Sequence, residues 1–525
     1  MTIGAALPVL LLATSLVPAI ATFFIPERSH RLRTALNVIA AVVKVVLVGA
    51  LVAGVLYFGL EFEWRAAFLP GIDLVLRADP IPLLFVFLSA LLWLTTTVYA
   101  IGYRAGDGRS SRFFGFFGLC ASMAVGIALA GNLVTFLIFY ELLTVATYPL
   151  VVHGGGQRAR LGGRTYVAYA TAGGAALLFG TAWLQHLVGS TEFGDPATVT
   201  AVATEQPLAM TAVFLVLITG LAVKAVLVPL HGWLPKAMVA PAPVSALLHA
   251  VAVVKAGVYG IVRVVHDLYG MALVDELGAL TPLAVVATVT IVYGSLRALT
   301  RDDLKGRLAY STVSQLSYIV LGVSVFGLTS TTGGLVHLVH QGIMKVTLFY
   351  GAGILDRQLG VTRASQMDGV GRRLPLTMAA FTVAALGMIG FPPTVGFVSK
   401  YYLGMGAVEA GQPWVVAVLA ISGALNASYF LPLIARAWFR PAGEPADAEV
   451  VAEEGDNRVG MTTATSDDAV PPGPATTRGR WETDRWLLLP TLSTGASVLA
   501  LGVLAGAPGS PLTWAAFIAE ELMQP

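Results

Sequence analysis

Cysteine is all but missing: Cys120 is the only one in the chain, and it sits in an apolar run. One thiol excludes an intrachain disulfide, a cysteine-rich metal site and a cysteine-bound redox cluster. Charge is scarce too. Only 12% of residues are charged and the net charge is +2, so nothing resembles the basic tract that follows nucleic acid. No catalytic residue, metal site or cofactor is expected, and nucleic acid is not an expected partner.

What fills the chain instead is hydrocarbon. Of its 525 residues 56% are hydrophobic, and the mean hydropathy is +0.77. That composition belongs to an all-α polytopic membrane protein rather than to a series of soluble domains. The first apolar segment, LPVLLLATSLVPAIATFFI, has no basic flank before it and no small-residue cleavage site after it, so it reads as a spanning helix rather than a signal peptide.

Apolar runs of roughly 20 residues suffice to span a bilayer. Fourteen are present, at 4–24, 35–58, 81–103, 113–129, 132–152, 164–188, 208–229 with a broken continuation to about 240, 243–266, 275–299, 306–328, 332–356, 376–403, 414–438 and 486–507. Their connections alternate in charge. Odd-numbered connections hold arginine clusters such as Arg28, Arg31 and Arg33, or Arg104, Arg109 and Arg112; even-numbered ones hold only Arg65 and Arg77 among basic residues, with Glu192, Asp195, Glu205 and Asp267. The positive-inside rule then puts the odd connections in the cytoplasm of a prokaryote and both termini outside its cell membrane. Residues 59–80 alternate around Pro70-Gly71 and read as a small external hairpin. Residues 440–485, rich in Pro, Ala, Gly, Asp and Glu, read as a flexible cytoplasmic linker. The segment TWAAFIAEELM after Pro511 reads as a short interfacial helix.

Lysine and arginine are used differently. Seven lysines are present, and Lys44, Lys224, Lys255, Lys345 and Lys400 lie inside apolar segments, whereas the arginines lie almost entirely in loops or at segment ends. Only lysine can shed its proton at accessible cost when desolvated. The membrane interior therefore holds charges that can be switched off.

The densest stretch is LAVKAVLVPLHGWLPKAMVAPAPVSALLHAVAVVKAGVY, from Leu221 to Tyr259. Pro229, Gly232 and Pro235 break its first helix, and backbone groups freed in this way need a polar interior. A second break is expected at Pro392 and Pro393. PLHGWLPKAM and PTVGFVSKYY share Pro, Gly, an aromatic and Lys at matched offsets, with Lys236 opposite Lys400, five spans apart. An odd number of spans per unit makes consecutive units inverted, so two inverted five-helix repeats are expected, each with a broken helix. Residues 1–112 form the N-terminal helices, 440–485 the linker and 486–525 a last span with its tail.

An ionisable group inside hydrocarbon costs about 2.5 kcal/mol or more, which marks it as a pathway candidate. Glu141, in mid-span, is too short to snorkel well, and Lys224 is its natural counter-ion. Lys255 lies near the centre of the eighth span, with His249 toward the cytoplasm and a structural core histidine as the alternative for it. In the eleventh span His337, Gln341 and Lys345 form one stripe with His340 on its shoulder. In the tenth, Ser311, Ser314, Gln315 and Tyr318 form another, for which helix packing is the competing reading. Lys400 follows the second break, close enough to a segment end to snorkel. Lys236 and His231 flank the first break, either guarding a cytoplasmic mouth or capping the chain's re-entry. Lys44, without a partner, reads as snorkelling.

YELLTVATYPL, the Leu221–Tyr259 stretch, RDDLKGRLAYSTVSQLSY and GFPPTVGFVSKYYL resemble segments of the antiporter-like membrane subunits shared by respiratory complex I, membrane-bound hydrogenases and Mrp cation/proton antiporters. The resemblance runs from the third to the thirteenth span. It implies fourteen helices, a first inverted five-helix repeat over spans 4 to 8 (113–266) and a second over spans 9 to 13 (267–439), a central polar axis, a Glu141–Lys224 pair, and protons passing through positions matching Lys255, His340, Lys345 and Lys400. LVHQGIMKVTLF resembles the D subunit of Mrp antiporters more than it resembles complex I relatives. The function so implied is proton translocation in a multisubunit sodium/proton antiporter, with other membrane subunits, protons and sodium as partners. A proton-pumping subunit of complex I or of a hydrogenase is the alternative.

Overall fold

The computed structural model describes residues 3–106, 108–441 and 482–523. Most of the expected 440–485 linker therefore lies outside the described residues. A helix stands at every expected span. Helices α1 (Ile3–Phe24) and α2 (His30–Phe58) precede an antiparallel hairpin, β1 (Phe62–Leu69) and β2 (Ile72–Ala78), which pairs Phe62 with Ala78 and turns at Gly71 with φ +75°. Next come α3 (Pro80–Tyr103), α4 (Ser110–Ala128), α5 (Leu133–Val151), α6 (Gly156–Val188), α7 (Pro207–Lys224) and α8 (Ala242–Leu268). The second half holds α9 (Leu280–Leu299), α10 (Leu304–Gly322), α11 (Leu328–Leu359), α12 (Pro375–Ile389), α13 (Val395–Glu409) and α14 (Trp414–Phe439). After the linker follow α15 (Arg485–Val503) and α16 (Pro511–Leu522).

Among the described residues eleven helices are long and apolar enough to cross a membrane. Helices α10 and α11 miss that mark because of their serine, histidine, glutamine and lysine stripes. They need not meet it. Every residue of α11 from Ser330 to Leu355 is buried, and α8 is buried along its whole apolar window. A helix enclosed by protein on all sides can carry polar groups that a lipid-facing helix cannot. Around these two, the outer helices turn Ile39, Val46, Leu178, Phe179, Val289 and Ile421 outward, an apolar surface suited to lipid or neighbouring subunits.

Both expected breaks are present. After Lys224 the chain leaves the helix and resumes as the short helix Trp233–Lys236; Pro229 and Gly232 lie in the gap. Pro235 does not. It occupies the first turn of the short helix, where a missing backbone donor costs nothing, so it continues the helix rather than breaking it. Val226 within the gap has φ +55°, a strained setting for a β-branched residue. Pro392 and Pro393 fall between α12 and α13, after Gly390 at φ +97°. A glycine lies hard against each break: a Cβ at Gly257 would collide with Ala225 N, and one at Gly396 would collide with Gly387 O.

Helix α16 forms where a short helix is expected. Leu512, Ala515, Ile518 and Ala519 are buried and the helix packs on α3 and α11, with Trp514 edge-on to Phe87, while Phe517 stays exposed. A short helix, Pro196–Glu205, also fills a connection read as loop.

The hairpin is fastened by charge. Arg65 meets Glu192 at 2.6 Å, and Arg77 meets Glu63 at 2.7 Å and Glu192 at 2.9 Å. Beneath it buried Arg263 joins Asp267 at 2.7 Å and Asp79 at 3.1 Å. The Arg65 hydrogen bond, with Arg77 beside it, holds the Glu192 carboxyl below the usual carboxylate range. A depressed folded value stabilises above the unfolded value, near 4.3, and that support is lost as pH falls through the folded value. Glu192→Gln should therefore lower the thermal unfolding temperature slightly at pH 7, and the gap from wild type should close below about pH 4. Unfolding curves across pH check this.

Candidate functional site

The buried amines meet main-chain carbonyls. At the end of α7, Lys224 is 1% exposed and donates to Tyr140 O at 2.5 Å, its Nζ lying 3.3 Å from the centroid of the Tyr140 ring. Trp233 Nε1 donates to Val223 O at 2.7 Å, stitching the short helix back to the end of α7. On α8, Lys255 donates to Leu338 O of α11 at 2.6 Å. On α11, Lys345 donates to Leu308 O of α10 at 3.1 Å and to Ser311 Oγ at 2.7 Å. Lys400, on α13, donates to Met388 O and Ile389 O at 2.8 and 2.9 Å. Those last two are carbonyls at the end of α12, left free by the break and carrying the negative end of the helix dipole. Lys400 therefore turns inward rather than snorkelling.

The expected Glu141–Lys224 ion pair is not formed. Glu141 Oε1 is buried without a hydrogen-bond partner, and Lys224 takes the carbonyl of the preceding residue instead. The carboxylate lies against Gly174 of α6, where a Cβ would collide with Oε1. The two charges are neighbours without contact.

Histidines and hydroxyls join the amines. His249 lies in a π-turn of α8, Leu247–Val251, and its Nδ1 pairs with Thr312 Oγ1 at 2.9 Å while Nε2 faces Met238 Sδ at 3.1 Å. Thr312 Oγ1 donates to Leu308 O, the same carbonyl that Lys345 uses. His249 and Lys345 are thus two links of one chain. His337 Nδ1 pairs with Ser399 Oγ at 2.8 Å, and the Tyr318 ring lies between His337 and Lys400, 5.2 Å from the imidazole and 5.3 Å from Nζ. Gln315 Nε2 reaches Met388 O at 3.4 Å, a carbonyl Lys400 also uses. His340 is buried with Nδ1 unpartnered, and so are both amide atoms of Gln341.

The tenth-span stripe divides. Ser311, Gln315 and Tyr318 face the amines, whereas Ser314 bonds Ser295 of α9 at 2.9 Å and serves packing. Lys236 is exposed and stays outside the buried file, so its matched register with Lys400 is not matched in environment. His231 stacks edge-on against Tyr293. Lys44, expected to snorkel, is fully buried, because Ser15 and Trp93 receive it within the bundle. Sequence reasoning missed Tyr140, Thr312, Ser399 and Gly174. Only adjacency to Glu141 and Lys400 marked the first and third of these.

The family model for the transmembrane region of NADH:quinone oxidoreductase and Mrp antiporter subunits matches residues 130–426. The chain belongs to that family. It is similar to NADH-quinone oxidoreductase subunit N of Desulforudis audaxviator (strain MP104C), 34% identical over 442 residues that make up 82% of each chain. It also resembles a probable K(+)/H(+) antiporter component of Rhizobium meliloti (strain 1021), 32% identical over 68% of this chain but only 35% of that relative's length. A chain of the Mrp complex from Dietzia sp. DQ12-45-1b superimposes with a TM-score of 0.81 at 25% identity, covering all of this chain and 98% of that one. The antiporter-like protein is accordingly a multi-pass membrane subunit of the kind found in multisubunit complexes.

The seat of Glu141 depends on Gly174 having no side chain. Gly174→Ala should push the carboxylate aside and cut proton uptake by vesicles about tenfold, since displacement near 1 Å at a reacting group costs up to about a hundredfold. Unchanged uptake would show that the position of this carboxylate is immaterial.

Proposed function

We propose that the protein is the proton-translocating subunit of a multisubunit sodium/proton antiporter of the Mrp type, corresponding to its D subunit, in a prokaryotic cell membrane with both termini outside. One observation carries the reading: three buried lysines, Lys224, Lys255 and Lys345, and the half-buried Lys400 lie on or beside two protein-enclosed helices, and each is held by a carbonyl rather than by a carboxylate. A carbonyl accepts a hydrogen bond from an ammonium or from a neutral amine alike, so such a site tolerates both protonation states. A carboxylate partner would hold the proton in place.

Protons would pass along Glu141, Lys224, Lys255, His340, Lys345 and Lys400, with His249, His337, Ser311, Gln315 and Tyr318 as relays. The separated Glu141 and Lys224 supply the coupling. When they approach, each charge favours the other and the lysine keeps its proton; when they part, as in this conformation, the lysine is readier to release it. The strained turn at Val226, two residues after Lys224, is the natural place for that movement. Residues 113–266 and 267–439 would act as the two inverted units, each supplying one break and one end of the file. Full-length similarity to the Mrp complex chain supports the antiporter reading. The 34% identity to subunit N supports a second one, a proton-pumping subunit in a redox complex whose quinone chemistry resides elsewhere.

Antiport in vesicles holding the whole complex tests both mechanism and membership. Lys224→Ala and Lys400→Ala, measured separately, should each remove most sodium-driven proton movement, as expected for one continuous path. Normal activity in both variants would overturn the route. Proton movement that responds to quinone reduction and not to sodium would establish the second reading.

A further inference from the structure

The N-terminal helices contain a second buried amine that the central file does not use. Lys44, in mid-α2, is fully buried; its Nζ donates to Ser15 Oγ of α1 and lies 4.9 Å from the centroid of the Trp93 ring of α3. No carboxylate of these helices faces it. Helices α1 and α3 hold no charged residue, α4 holds only Arg112 near its start, and α2 itself adds only His30, Arg31 and Arg33 at its far end. An ammonium without a counter-ion is costly in such a place, whereas a neutral amine is not.

Polar groups lead to it along one seam. At the end that the basic loops assign to the cytoplasm, Arg33 Nη1 donates to Ser111 Oγ at 2.9 Å and meets Glu27 at 3.5 Å. One turn deeper Asn37 Nδ2 reaches Thr22 Oγ1 at 3.3 Å. At the level of Lys44, Ser15 Oγ donates to Leu12 O at 3.3 Å, and Ser122 Oγ of α4 donates to the same carbonyl at 3.1 Å. Arg33, Asn37, Ser15, Thr22 and Ser122 are all at least nine-tenths buried.

The far wall of the seam is unsatisfied. Ser89 Oγ, Trp93 Nε1 and Thr97 Oγ1 recur every fourth residue on one face of α3, and all three are buried without a hydrogen-bond partner. Buried donors are ordinarily paired, and an unpaired row beside a lysine is where water belongs. The adjoining face of α3 is tied to α11, the helix of His340 and Lys345: Tyr350 OH donates to Thr96 Oγ1 at 2.8 Å, and Tyr99 OH donates to Tyr350 O at 2.9 Å.

We propose that Lys44 is a second protonation site, outside the central file, that takes up and releases a proton through this hydrated seam of α1, α2, α3 and α4. Its ligand is a hydrated proton. Arginine would satisfy a merely structural cation–π contact with Trp93 but stays charged, so the presence of a lysine is the feature to test. The inference rests on the proton-translocating reading given above, and the central-file variant Lys224→Ala separates the two.

In vesicles holding the whole complex, Lys44→Met should lower proton movement severalfold, and Lys44→Arg should be equally impaired. Normal transport in Lys44→Met, or full rescue by arginine, would overturn the proposal, provided that Lys224→Ala is inactive in the same preparation. Should Lys224→Ala also transport normally, the translocation reading itself has failed. Where lysine variants do not assemble, Ser15→Cys decides the matter in a chain that also carries Cys120→Ser, because Cys120 lies on α4 two residues from Ser122 of the same seam and is as buried as Ser15. The new thiol should react with a small water-soluble methanethiosulfonate, and an unreactive Ser15→Cys in assembled complex would overturn the hydrated seam.

Discussion

An amine removed from water needs an acceptor within reach, and on the proposed proton-translocating reading that acceptor must not trap its proton. Carboxylates inside a membrane would fix the charge, and hydrocarbon would forbid it, so the remaining choice is a neutral oxygen: a peptide carbonyl for the central amines, joined by the Ser311 hydroxyl at Lys345, and the Ser15 hydroxyl at Lys44. Carbonyls within a helix are mostly occupied by their own ladder. Lys400 finds free ones where α12 stops, and Lys255 and Lys345 instead lean across to neighbouring helices, which brings α8, α10 and α11 into close contact. Breaks, glycines at close approaches and the enclosure of α8 and α11 all serve the same placement.

Much of this was legible in the sequence. Long apolar runs give helices because the bilayer allows little else, and Pro-Gly punctuation marks both breaks and the hairpin. Buried lysines stand out by contrast with the arginines. What the residues could not reveal is which partner each amine takes. Glu141 and Lys224 are opposite charges, and charge alone predicts a pair; the carbonyl of Tyr140 wins because every residue has one and no pattern marks which is near. Lys236 matches Lys400 by spacing yet remains exposed, since its short helix ends in the connection after the first break. Ser314 belongs to the same sequence stripe as Ser311 and Gln315 but faces α9, because α10 is enclosed and has no idle side.

Lys44 teaches the same lesson from the other direction. A lone lysine without a sequence partner suggests a side chain bound for the headgroups, but its partners come from α1 and α3, the helices on either side of α2 in the chain. The hydrophobic surface of α1 and α2 conceals a polar interior. Likewise nothing in the sequence of α16, short and amphipathic, shows that α3 and α11 receive its buried face. In an enclosed membrane protein, polarity inside a span reports an interior and does not say which one.

The central claim is that water joins carbonyl-held amines into a conducting file. A map of the assembled complex in a lipid bilayer, at a resolution that shows ordered water, examines it most directly. The account predicts water between Lys224, Lys255, Lys345 and Lys400, with the amines resting on the carbonyls of Tyr140, Leu338, Leu308 and Met388. Dry gaps between those amines in every state of the complex, or amines turned to lipid, would contradict it.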